Sequence, residues 1–180
     1  MAEDEPSTFR ASMRRVPSPV VVVTARGPQE ARGITIGSFS SVALDPPLVS
    51  FNVGRDASMF EVMEHCDRFA VHVLGENQAH LAEQFAIPGL SGAEQFEAVP
   101  HERDAHGTPI LEGGSGVLHC RPHDSIPAGD NCLYVGRVVE VEERSDQGAV
   151  LYYKSDYRGV GKELPSTRLA PVKRASNDSS

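Results

Sequence analysis

The 180-residue chain has three cysteines, no aliphatic run longer than Val20–Val23, and fewer basic than acidic side chains. Each shortage excludes something. Cys66, Cys120 and Cys132 are odd in number, widely spaced and form no Cys-x-x-Cys pair, so neither a disulfide framework nor a zinc ribbon is encoded. They read as small buried hydrophobes in a reducing compartment. A run of four valines is far short of the roughly 20 apolar residues that span a bilayer. The first residues, Met1 to Pro6, are acidic where a signal peptide is basic and then apolar, so a cytoplasmic protein is expected. With 17 Lys and Arg against 25 Asp and Glu, the formal net charge of −8 gives no general grip on nucleic acid or anionic lipid. A local basic pocket for a phosphate remains allowed. The chain also lacks a Gly-x-Ser-x-Gly elbow and a Gly-x-Gly-x-x-Gly dinucleotide turn.

The length suits one domain with a core of its own. The ends are polar, so flexible tails are expected over 1–8 and 161–180, with the domain between them over 9–160. Phe9, Met13 and Val16 share a helical face that stops at Pro17. Val20–Thr24 reads as a strand covered on both sides, and Gly27–Gly33 turns it back into Ile34–Ile36 as a hairpin. Leu48–Val53 alternates, leaving Ser50 and Asn52 on one face. Ser58-Met-Phe-Glu61 has the form of a capping box opening a helix with a Met59, Phe60, Met63 core stripe. A strand over 68–74 and a helix over 76–86 follow. Ile87–Gly107, rich in Gly, Pro, Glu and His, reads as a long loop. Strands are expected over 116–121, 133–142 and 149–153. The balance predicts a mainly β fold, a closed barrel with peripheral helices.

Gly33-Ile-Thr-Ile-Gly-Ser-Phe-Ser-Ser41 sets four hydroxyls and glycine backbone after a strand, a neutral cradle for a phosphate or a ring edge. Arg55 and Ser58 stand at a helix start, where unpaired N–H groups favour an anion. A Ser-rich connection followed by an ordinary helix cap would look the same. His119-Cys120-Arg-Pro-His123 with Cys132 contains metal-ligand types, but Pro122 is expected to interrupt the strand and no fourth ligand recurs, so no metal site is assigned. His72 reads as a structural histidine.

The order Phe9-Arg-x-x-Met13, Val20–Thr24, then Gly33-x-Thr35-x-x-Ser38-Phe39-x-Ser41-Val42-x-Leu44-Asp-Pro-Pro-Leu-Val49 resembles the flavin reductase family. The likeness continues through Arg68–Leu74, Leu81–Ala86, Pro109–Gly113, Gly129-Asp130, Leu133–Val138 and Tyr157-Arg158. It implies a six-stranded antiparallel Greek-key split barrel of the FMN-binding type, acting as a homodimer. The implied activity is an NAD(P)H-dependent flavin reductase, with FMN or FAD as flavin and NADH or NADPH as co-substrate, supplying reduced flavin to a monooxygenase. The alternative within the same resemblance is a non-catalytic FMN-binding electron-transfer protein. Thr35, Ile36, Ser38, Ser40 and Ser41 would line the ring and ribityl chain, Asn52, Arg55 and Ser58 would meet the ribityl and phosphate end, and Phe85 would close the pocket. Asn131 and Tyr157 would meet the nicotinamide, and no side chain is assigned a catalytic step, because the cofactor carries the chemistry. One departure bears on nicotinamide binding: Asn131 stands where many members carry a histidine.

Overall fold

Alternation along the valine run divides the interior in two. The structure is a computed structural model that describes residues 5–144 and 147–164. In it Val21, Val23 and Ala25 enter one buried cluster while Val20 and Val22 enter another on the opposite face. Such alternation is what a strand does, and burial of each valine stabilises by about 1.5–3 kcal/mol. This strand, β2 (Val21–Arg26), follows a helix α1 (Glu5–Met13) and a two-residue β1 (Ser18–Pro19). It turns into β3 (Ala31–Ile36) as the expected hairpin. The helix begins at Glu5, inside the stretch expected as a tail, and residues 1–4 lie outside the described ones.

β4 (Ser40–Leu44) and β5 (Pro47–Gly54) form a second hairpin, after which α2 (Ser58–His65) packs Met59, Val62 and Met63 into the first cluster. β6 (Phe69–Val73) pairs with β2. A single 3-10 turn (Glu76–Gln78) and α3 (Ala79–Gln84) carry Leu81 and Phe85 into the second cluster. The stretch expected as one long loop holds α4 (Gly92–Phe96) and β7 (His101–Arg103), which pairs with β8 (Pro109–Leu111). Here Ser91 and Glu94 form the true capping box, the Ser91 Oγ accepting the Glu94 N–H and the Glu94 carboxylate accepting the Ser91 N–H.

β9 (Gly116–Ala128) and β10 (Asn131–Glu143) make the longest pair, and β11 (Val150–Tyr153) with β12 (Asp156–Gly159) joins β1 in a separate three-stranded sheet. Pro122 does not end its strand. It sits opposite Gly136 at a register shift, where a residue without an N–H costs no ladder bond.

The main sheet therefore has seven strands, in the order β3-β2-β6-β9-β10-β5-β4, in place of the six of a closed barrel. Its edges do not meet because the outer edge of β3 is already taken. The Thr35 N–H donates to the Phe85 carbonyl at 3.2 Å, and Gln95 bonds both the N–H and the carbonyl of Gly33. The fold stays mainly β with few helices. Among the described residues no helix is long and apolar enough to cross a membrane.

Candidate functional site

The covered edge of β3 forms one wall of a cleft of about 610 Å³, inside the roughly 300–1,000 Å³ range of ligand sites. The start of α2, with Asp56, Ser58 and Met59, forms a second wall, and the segment 85–90 forms the third. Local structure explains why these converge. The Thr35 hydroxyl donates to the Ala82 carbonyl at 2.7 Å, which ties the end of α3 to β3. Gly33 lets Phe85 come close: a Cβ built there would stand 2.5 Å from the ring. Phe85 is buried and packs against Phe96 at a centroid distance of 5.2 Å.

The start of α2 differs from the capping box expected at Ser58. Ala57 is the N-cap residue, and no side chain caps the helix. Ser58 Oγ instead accepts from Arg32 Nη1 at 3.1 Å. The Phe60 N–H is taken by the Ala57 carbonyl at 2.9 Å, which leaves those of Ser58 and Met59 uncapped beside the cleft, next to a hydroxyl with its own proton to give. Ile34, Met59, Phe85 and Ile87 give the cleft an apolar lining. The N–H groups of the helix start suit an anion and the apolar lining an aromatic ring, which fits a flavin mononucleotide in its chemistry.

Of the residues picked from sequence, Thr35, Ser58 and Phe85 line this cleft. Ile36 has its side chain in the first core cluster, so only its main chain is available to a ligand. Ser38, Ser40, Ser41 and Asn52 are exposed outside the cleft, where Ser38 Oγ accepts the Asn52 N–H at 2.9 Å and Ser40 and Ser41 face Ser50 and Val49 across the β4–β5 pair. Arg55 is exposed, and its N–H donates to the Asp130 carbonyl at 3.0 Å, which brings it to the tip of the β9–β10 hairpin. Asn131 lies at that tip opposite Gly54, its amide donating to the Asp130 carboxylate at 2.7 Å. Tyr157 lies on the small sheet, half-buried against Tyr152, and burial raises its phenol above the usual range.

Sequence reasoning missed Arg32. Its Nε donates to Glu30 at 2.8 Å and its Nη1 to the Leu90 carbonyl and Ser58, joining all three walls. The Gly92 N–H, donating at 2.8 Å, and the Arg32 guanidinium hold the Glu30 carboxyl below the ordinary range. The spacing was a usable signal, since residues two apart on a strand share a face. Among the described residues, the only charged side chains lining the cleft are Arg32 and Asp56. Among the described residues no group of three or more His, Cys, Asp or Glu is placed to hold a metal.

His72 is the other polar group in the interior. Thr24 Oγ1 donates its single proton to the Pro109 carbonyl at 2.6 Å, so the contact at 2.9 Å from His72 Nε2 to Thr24 Oγ1 requires the proton on Nε2. Nδ1 has no partner among the described residues. Burial, with the nearby positive charges of Arg144 and His119, pushes this imidazole down to about 3. It is a neutral structural residue of the second core.

Three comparisons bear on this geometry. The model of the flavin reductase like domain matches residues 13–161. An NADH:FMN oxidoreductase of Rhodococcus qingshengii is 37% identical over 155 residues, covering 83% of this chain and 79% of its own. The reductase component of a 4-hydroxyphenylacetate 3-monooxygenase from Thermus thermophilus is 35% identical over 150 residues, covering 83% and 93%. The solved Streptomyces globisporus C-1027 NADH:FAD oxidoreductase superposes with a TM-score of 0.81 at 30% identity, over 93% of this chain and 95% of that one.

Proposed function

Because this chain belongs to the flavin reductase like domain family, we propose that it oxidises NADH, reduces a flavin seated in the Thr35–Ser58–Phe85 cleft, and supplies it to a partner oxygenase. The observation that carries this reading is the cleft itself, which joins a polar helix start to an apolar lining that includes Phe85. When bound, the flavin supplies the redox chemistry, taking two electrons and a proton from the nicotinamide as hydride and a second proton from solvent.

The protein's part is positioning. Ser58 and the uncapped first turn of α2 hold the phosphate. Arg55, which has no ion pair among the described residues, supplies charge from the side of the hairpin. Thr35 and Phe85 fix the wall of the ring end, and Ser38, Ser40, Ser41 and the main chain around Ile36 carry the flavin contacts on beyond the cleft, from the end of β3 into β4. Among the described residues, Asp56 and Arg32 are the charged groups in the lining, and neither is assigned a general acid or base step. Asn131 and Tyr157 meet the nicotinamide.

The reading includes a homodimer with the split-barrel arrangement. Val42 and Leu44, on the edge strand β4, are 53% and 89% exposed, and an apolar sheet edge of this kind needs a cover. A second copy of the chain supplies it, and Leu44→Asp should shift sedimentation from dimer to monomer. The whole reading is tested by NADH oxidation with and without FMN. Oxidation that requires added or retained flavin supports it, and flavin binding without oxidation favours the electron carrier.

A further inference from the structure

Past Ser58 the cleft meets a second hollow of about 160 Å³, lined by Gly27, Glu30, Glu61, Val62 and His65. The two spaces share Arg32 and Ser58 as a common wall. Arg32 is built as a strut: its side chain is only 13% exposed, its Nε and Nη2 reach Glu30, and its Nη1 reaches Ser58 and the Leu90 carbonyl. Glu30 is in turn pinned by the Gly92 N–H. The guanidinium charge is thereby matched by a carboxylate, so Arg32 holds shape and adds little attraction for a phosphate.

We propose that the Arg32–Ser58 bar limits the flavin tail to a monophosphate, so that the chain takes FMN in preference to FAD. The inference rests on the reading of the cleft as a flavin site. A tail ending in one phosphate stops at the first turn of α2, against the bar. A dinucleotide has to continue past it, and three features oppose that. Passage breaks the contacts that Arg32, whose side chain is only 13% exposed, makes to Glu30, Ser58 and the Leu90 carbonyl. The hollow beyond, at about 160 Å³, is close to the roughly 150 Å³ that suffices for one benzene-sized ring, so a nucleoside would stand largely outside it in solvent. Its wall also carries Glu30 and Glu61, which repel a second phosphate. The similar proteins include one named for FMN and one named for FAD, so the family alone leaves this choice open.

Equilibrium dialysis against riboflavin, FMN and FAD tests the proposal on the full chain. The unaltered protein should bind FMN at least about tenfold more tightly than FAD. Glu30→Gln with Arg32→Ala removes the bar without stranding a carboxylate, and should bring the two affinities within about threefold while riboflavin changes less than about twofold. Arg32→Lys keeps the charge but lacks the fork that reaches Ser58 and Leu90 together, and should move the FMN to FAD ratio the same way. If the double variant does not fold, the lysine variant decides. Equal affinity for FMN and FAD in the unaltered chain, or a ratio unmoved in the folded variants, overturns the proposal. Binding of none of the three flavins overturns the flavin reading itself, a separate outcome.

Discussion

Gly33 and Phe85 are in direct contact: a Cβ added at Gly33 would lie 2.5 Å from the Cδ1 and Cε1 atoms of the Phe85 ring. Phe85 is buried and braced by Phe96, so the ring can give way only toward the cleft it lines. Gly33→Ala should therefore cost about 1–3 kcal/mol by overpacking. It should also push Phe85 toward the cleft and weaken flavin binding, whereas Phe85→Ala should cost about 3–5 kcal/mol by leaving a cavity. Urea unfolding gives the first quantity and flavin titration the second. A Gly33→Ala protein with unchanged midpoint and unchanged flavin affinity would contradict this contact.

Arg55 is the cation assigned to the flavin phosphate. Arg55→Ala should weaken FMN by about 1.5–3 kcal/mol, the size of a charge-assisted hydrogen bond, and leave riboflavin unaffected. Titration of the variant with both ligands checks this. Equal losses for both would remove Arg55 from the phosphate site.

His72 makes stability depend on pH with a definite sign. The folded imidazole titrates near 3 and the unfolded one near 6.5, so between those values the unfolded chain binds more protons. The stability due to the neutral imidazole is complete above about pH 6.5 and falls as pH drops toward 3. The slope is at most about 1.4 kcal/mol per pH unit. Urea midpoints at pH 7.5, 6 and 5 should fall in that order. His72→Gln should flatten the fall by up to one proton, and an equally steep fall in the variant would assign the effect to other groups.

The fold was legible where the chain repeats a pattern and obscure where partners impose it. Val20–Val23 announces a strand buried on both faces, and the strand lies where the valines put it. Ser40–Leu44 has no such pattern, being almost wholly exposed and held by pairing with β5. The two Ser-x-x-Glu motifs mark opposite outcomes. At Ser91 the box forms, inside a stretch whose glycines and prolines suggested a loop, while at Ser58 the hydroxyl is taken by Arg32. Thr35 and Ser58 were readable from the residues, as a hydroxyl after a strand and one at a helix start, and Phe85 through the family likeness. Their union with Arg32, Leu90 and Gln95 was not, because it depends on segments 60 residues apart meeting at the edge of β3.

Asn131 offers a further prediction at the nicotinamide. Its amide is bonded to Asp130 at the hairpin tip, where the family resemblance implies a histidine. Asn131→His should change the KM for NADH by severalfold with little effect on FMN affinity, since the substitution lies outside the flavin cleft. Steady-state kinetics with varied NADH at saturating FMN separates the two. An altered FMN affinity with an unaltered KM for NADH would assign Asn131 to the flavin.

Flavin reduction by NADH is tested most directly by loading the purified protein with FMN, removing unbound flavin by desalting, recording the absorbance spectrum, and adding NADH without oxygen. Retained flavin bands that bleach within the mixing time, and return when air is admitted, are the predicted result. Retained bands that stay yellow under excess NADH would contradict the reductase and leave a flavin carrier, with Asn131 the first position to change.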